Sequence, residues 1–172
     1  MALARFFWNT GLYRTMPIHT LHCRQIIHAS PETAWDFFSN PRNLSRITPQ
    51  SLDFQVVTPD LPKQIHSGLM IEYRVRPIAG LPLTWLTEIT HVEPLLYFVD
   101  EQRVGPYAIW HHEHWFRPAG PGKVEIEDRV TYKLPLGWLS EPAHLLFVRR
   151  QLEEIFDFRT QAVESIFPGT GA

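Results

Sequence analysis

Residues 109–117 and 124–134 constrain the fold more than any other part of the chain. Each alternates side chain by side chain, and Pro118-Ala-Gly-Pro-Gly122 separates them. Side chains on a strand point alternately to its two faces, so both segments read as long strands of one hairpin. In the first, Trp110, His112, His114 and Phe116 share a face, and His111, Glu113, Trp115 and Arg117 share the other. In the second, Val124, Ile126, Asp128, Val130, Tyr132 and Leu134 form one row against Glu125, Glu127, Arg129, Thr131 and Lys133. Asp128 is the exception, a carboxylate in an otherwise apolar row.

A hairpin centred on Gly120 pairs residues whose numbers sum to 240. That register sets His112 opposite Asp128, His114 opposite Ile126, Phe116 opposite Val124 and Trp110 opposite Val130. An inward carboxylate is costly unless paired or hydrogen-bonded, and a histidine across the ladder lies within reach. The pattern therefore predicts a polar cluster in an aromatic surface. It is either a functional pocket or a structural ion pair.

At 172 residues the chain is long enough for one domain with one sizeable core. Its net charge of −2 and the lack of a Lys/Arg cluster argue against a nucleic-acid partner. A single cysteine, Cys23, excludes an internal disulfide and fits a reducing, cytoplasmic setting. Residues 1–16 are rich in aromatics, contain no acidic residue and read as an N-terminal extension. Their apolar run, interrupted by Arg5, is too short to span a bilayer and has no cleavage site of the secretory kind. The domain is expected over residues 17–167, with a tail at 168–172.

Residues 18–28 read as a first strand. Ser30-Pro31-Glu32 then opens a helix with an N-cap and a proline at its first position. Asn40-Pro41 repeats the signal for a second short helix, which Pro49 ends. Strands follow at 52–57, 69–77, 83–92 and 97–104, joined by proline and glycine turns in the manner of an antiparallel meander. From 142 to 167, Leu145, Val148, Leu152, Ile155, Ala162 and Ile166 recur at helical spacing. Such a helix is roughly 38 Å long. Arg159 lies within its apolar stripe, either snorkelling with its stem over the core or holding an acidic ligand group at the end of a cavity.

This order predicts an α+β fold in which one curved antiparallel sheet of about seven strands wraps a long C-terminal helix, leaving a cavity between them. The layout and the motifs SPETAWDFFSNPRNLSRITP, FVDEQRVGPYAIWHHEHWF, EDRVTYKLPLG and RRQLEEIFDFR resemble the SRPBCC superfamily of START-like, helix-grip proteins. The resemblance is closest to its polyketide-cyclase-like bacterial group and spans residues 17–167. Gly105, Pro106, Tyr107, Trp110, His112, His114 and Phe116 match that group's string in order; Gly122-Lys123 departs from its usual Gly-Thr turn. The resemblance implies a hydrophobic cavity for a lipid-, polyketide- or isoprenoid-like molecule. Fold alone leaves open whether such a protein binds, transports or catalyses.

On strand 97–104, Phe98, Asp100, Gln102 and Val104 share a face, and Trp85, Thr87, Ile89 and His91 would continue it on the preceding strand. The predicted ligand-binding set is Trp85, Phe98, Asp100, Gln102, Trp110, His112, His114, Phe116, Asp128 and Arg159. Its polar members either orient a ligand or act as an acid–base pair in a cyclisation or dehydration, with His112, His114, Asp128 and Asp100 as candidates. His112-x-His114 also places two imidazoles on one face, and Asp128 or His91 would be the third ligand of a zinc site. Pro118 stands where a cupin would carry its glutamate, so the sequence predicts no metal and no cofactor. Trp115 on the outer face, together with the aromatic extension, suggests a surface for a homodimer or a second protein.

Overall fold

The computed structural model describes residues 17–78, 81–140, 142 and 144–169. The notebook of expectations for the extension, residues 1–16, lies outside them. Strand β1 (His19–Ile27) leads into helix α1 (Pro31–Phe38) and a 3-10 helix (Pro41–Ile47). Both begin as their sequences predict: the Ser30 hydroxyl accepts from the Thr33 N–H at 3.2 Å and the Asn40 carbonyl from the Arg42 N–H at 3.1 Å. A second 3-10 turn (Gln50–Leu52) precedes β2 (Gln55–Val56), β3 (Met70–Ile78), β4 (Leu81–Glu93), β5 (Tyr97–Val104), β6 (Ile109–Pro118) and β7 (Val124–Lys133). The chain closes with a π-helical turn (His144–Val148) and helix α2 (Arg149–Ile166).

All seven strands form one antiparallel sheet in the order β1-β7-β6-β5-β4-β3-β2. The meander returns on itself because β1 pairs with the last strand. This is the expected α+β architecture: a sheet gripping a C-terminal helix. One part of the core joins α1, the inner faces of β4 to β7 and the C-terminal end of α2, around Trp35, Phe38, Phe98, Phe116 and Val163. A second part packs Leu152 and Phe156 of α2 on Leu21, Cys23, Val130 and Tyr132.

The hairpin register differs from the one expected. Ala119–Lys123 makes the turn, with Lys123 N–H donating to Gly120 O at 3.1 Å and Ala119 N–H to Lys123 O at 3.0 Å. Gly120 (φ 116°) and Gly122 (φ 64°) supply the positive φ angles it needs. Its centre is therefore Pro121, and His114 faces Asp128, His112 faces Val130, Trp110 faces Tyr132 and Phe116 faces Ile126. A slip of two residues keeps every side chain on its predicted face, where a slip of one would have reversed them all.

A second difference lies in β4. The register shifts between Ile89 and His91, so Thr90 is an extra residue in the ladder. Inward and outward positions exchange from there on: Val92 packs against the core and His91 is exposed. His91 thus leaves the surface it was expected to continue.

Candidate functional site

The inner face of the sheet and α2 enclose a cavity of about 430 Å³, open toward the 3-10 helix and the loop after β7. Ile71, Tyr73 and Val75 from β3 wall one side, and Leu44 and Ile47 from the 3-10 helix another. Val148, Leu152 and Phe156 form the roof on α2. Trp85, Tyr107 and Trp110 make an aromatic corner, with the two indoles edge to face at 5.3 Å and Tyr107 4.8 Å from Trp110.

At the floor this apolar lining gives way to charge. Asp100, His112, His114 and Arg159 reach the cavity, and Asp128 sits behind them. Antiparallel pairing dictates the placement: Asp100 lies directly opposite His112 on β5 and β6, and Asp128 directly opposite His114 on β6 and β7. The two imidazoles lie 3.8 Å apart, centroid to centroid, and a carboxylate oxygen bridges each side of the pair. On one side Asp128 Oδ1 is 3.1 Å from His112 Nε2 and 2.9 Å from His114 Nδ1. On the other, Asp100 Oδ2 is 2.8 Å from His114 Nε2 and 3.4 Å from His112 Nδ1. Arg159 donates from Nε to Asp128 Oδ2 and from Nη2 to Asp128 Oδ1, both at 3.0 Å. Phe98 stacks on His114 at 4.1 Å.

Burial pushes both carboxyls upward, yet both lie below their ordinary range. For Asp128 the Arg159 charge and the hydrogen bonds from His112 and His114 outweigh burial by a wide margin. For Asp100 the His112 charge, the hydrogen bond and charge of His114, and Arg159 do so. The histidines diverge. Burial and the neighbouring His114 lower His112 against the pull of both carboxylates, whereas in His114 the hydrogen bonds to Asp100 and Asp128 overcome burial and raise it. A proton held by the pair therefore resides on His114. The cluster is then balanced, two carboxylates against Arg159 and one imidazolium.

Of the residues predicted for the site, Trp85, Phe98, Asp100, Trp110, His112, His114 and Arg159 line the cavity together. Three others stand elsewhere. Gln102 closes the β5–β6 turn, donating from Nε2 to Tyr107 O at 2.7 Å and accepting from Tyr107 N–H through Oε1. Gly105 is required there, because a Cβ would fall 2.3 Å from Gln102 Oε1. Phe116 is core, packed against Trp35 and Phe38. Asp128 is one layer behind the wall. Arg159 does not snorkel: it is 8% exposed and fully committed to its ion pair. Tyr73 and Tyr107 were absent from the predicted set, although the alternation of Ile71, Tyr73 and Val75 marked that face of β3.

The outer face carries a separate cluster. Glu127, with no exposed surface, is covered by Arg24, Arg117, Arg129 and His22, all within ion-pair distance of it. Trp115 is covered there too, stacked on Tyr97 at 4.6 Å with the Arg117 guanidinium 5.3 Å over its ring. No helix among the described residues is long and apolar enough to cross a membrane.

The geometry is that of the START/Bet v 1-like helix-grip fold. Solved structures of the same fold include the Mycobacterium smegmatis protein Ms6760, 17% identical, with a TM-score of 0.63 over 98% of this chain and 100% of that one. Ginseng major latex-like protein 151 from Panax ginseng is similar at 11% identity, with a TM-score of 0.63 over 88% of this chain and 99% of that one. A Thalictrum flavum norcoclaurine synthase point mutant, in complex with a transition state analogue, is similar at 13% identity and a TM-score of 0.63, covering 90% and 99%. No family model matches the chain. No curated protein matches it either.

Proposed function

We propose that this protein binds a small hydrophobic or amphipathic molecule, lipid-, polyketide- or isoprenoid-like, in the cavity between the sheet and α2. The observation that carries this reading is an apolar hollow of about 430 Å³ that ends on a buried charged floor. Its size falls within the range of small-molecule sites, and the few polar groups converge at one end as such sites require. The apolar walls supply affinity, while Asp100 and the imidazoles orient a hydroxyl, carbonyl or amine of the guest. The buried lone thiol of Cys23 fits a cytoplasmic setting. Mass spectrometry of small molecules released from freshly purified protein tests the proposal. A reproducible apolar species, displaced stoichiometrically by a fluorescent fatty-acid probe, supports it. A protein that carries no such species and takes up no probe refutes it.

A second reading is a cyclase or dehydratase, favoured by one observation: two imidazoles and a carboxylate that can carry a proton face the same hollow. A His112→Asn protein that turns over an accepted polyketide at the full rate would remove His112 as the base.

A further inference from the structure

The contacts between the two imidazoles and their bridging carboxylates ask for more protons than a neutral pair carries. There are four N···O contacts, at 3.1, 2.9, 2.8 and 3.4 Å. Two neutral imidazoles supply only two N–H donors. Asp128 has the stronger claim on them. It is buried behind the wall, and Arg159 fixes its orientation through both oxygens. With an N–H of each ring turned toward Asp128 Oδ1, the remaining nitrogens, His112 Nδ1 and His114 Nε2, both present lone pairs to Asp100 Oδ2. Three electron-rich atoms then converge at the cavity floor.

We propose that Asp100, His112 and His114 form a binding site for one divalent transition-metal ion, of the zinc or cobalt type, with Asp128 as the carboxylate that orients both imidazoles. One ligand atom from each of the three residues can be chosen so that all lie within 4.8 Å of one another. The N···O separations of 2.8 and 3.4 Å bracket the edge of about 3.3 Å expected for a tetrahedral ion with ligands near 2.0–2.1 Å. Two histidines and one carboxylate make a ligand set suited to zinc, cobalt or iron. The second nitrogen of each ligating ring meets a carboxylate, the arrangement that fixes ring orientation in metal sites. The three ligands line the cavity and Asp128 does not, so the open coordination position faces the hollow, where an oxygen of a guest or a water would complete it. The sequence predicted no metal because it offered His91 or Asp128 as third ligand. The β4 bulge turns His91 away, Arg159 occupies Asp128, and Asp100 takes the place of both.

The site stands whether or not the hollow takes an organic guest, and its test needs none. The full chain, stripped with chelator, is titrated with Co²⁺ and then Zn²⁺. The expected result is one equivalent of Co²⁺ with the intense visible bands of a four-coordinate ion, displaced by Zn²⁺. His112→Ala and His114→Ala should each weaken binding by about 100-fold or more, and Asp128→Asn by about 10- to 100-fold. Because the variants can fail to fold, the unmodified protein labelled with ¹⁵N-histidine gives an independent readout: Zn²⁺ should shift the ring nitrogens of His112 and His114 before those of the other histidines. Failure of the folded wild type to bind Co²⁺, or unmoved His112 and His114 resonances at one equivalent of Zn²⁺, overturns the proposal.

Discussion

Arg159 meets Asp128 with two parallel N–H donors, each 3.0 Å from a different carboxylate oxygen. This fork joins the middle of α2 to the last strand, at a depth where Asp128 is 5% exposed. Removing one partner leaves the other charge buried and unmatched. Arg159→Met is therefore expected to destabilise the fold by about 3–5 kcal/mol in urea denaturation. Arg159→Lys should recover little of this, since an ammonium cannot reproduce the fork. The double variant Arg159→Met/Asp128→Asn should be more stable than Arg159→Met alone. A double variant no better than the single one would mean that packing of the arginine stem carries the effect.

Filling the hollow should separate binding from folding. Val75 lines the cavity from β3. Val75→Phe directs the added ring into open space, where it is expected to reduce uptake of an apolar fluorescent probe by about tenfold or more while the melting temperature holds or rises. Trp110→Ala removes part of the aromatic corner and should also weaken retention. Unchanged probe affinity in both variants would place the binding surface elsewhere.

Glu127 predicts the acid limb of stability. Its carboxyl is buried, which raises it, but hydrogen bonds from Arg129, Arg117, Arg24 and His22 bring it down from an ordinary 4.5 to about 2. A depressed carboxyl stabilises the fold above its unfolded value and loses that contribution as pH falls toward its folded value. Stability should thus decline between about pH 4.5 and about 2. In Glu127→Gln this part of the decline should be missing from denaturation midpoints measured across that range. Superimposable profiles for the two proteins would assign the acid limb to other groups.

Cys23 should behave as a shielded thiol. Burial first, and the Asp128 charge second, push it from 9.0 up to about 11. At pH 8 the thiolate fraction is then about 100-fold lower than for an ordinary thiol of that reference value. Alkylation by iodoacetamide is expected to be slow in the folded chain and to accelerate on unfolding in urea. Labelling of the folded protein at the rate of an exposed cysteine would contradict the position assigned to it.

Much of the architecture was legible because it depends on periodicity. The alternation of residues 109–117 and 124–134 placed each side chain on its observed face, and Ser30-Pro31 and Asn40-Pro41 marked both helix starts. What could not be read depends on single-residue offsets. The turn at Ala119–Lys123 moved the register by two, and the unpaired Thr90 removed His91 from the site; neither leaves a pattern in hydrophobicity. The commitment of Gln102 to the Tyr107 backbone was equally hidden, because a glutamine on an inward face reads the same whether it meets a ligand or a turn. Arg159 looked like a stem lying over the core, since its partner is 31 residues away in sequence and meets it only across the finished sheet.

The mid-helix fork has a mechanical consequence. Beside it, Gln25 of β1 donates to the Thr160 carbonyl at 2.9 Å, so two adjacent residues of α2 are riveted to the sheet. The helix cannot lift away bodily. Admission of a guest falls to the other end, where the π-helical turn 144–148 precedes the pinned segment and Val148 overhangs the hollow. That end can swing like a gate on a fixed post while the charged floor stays still.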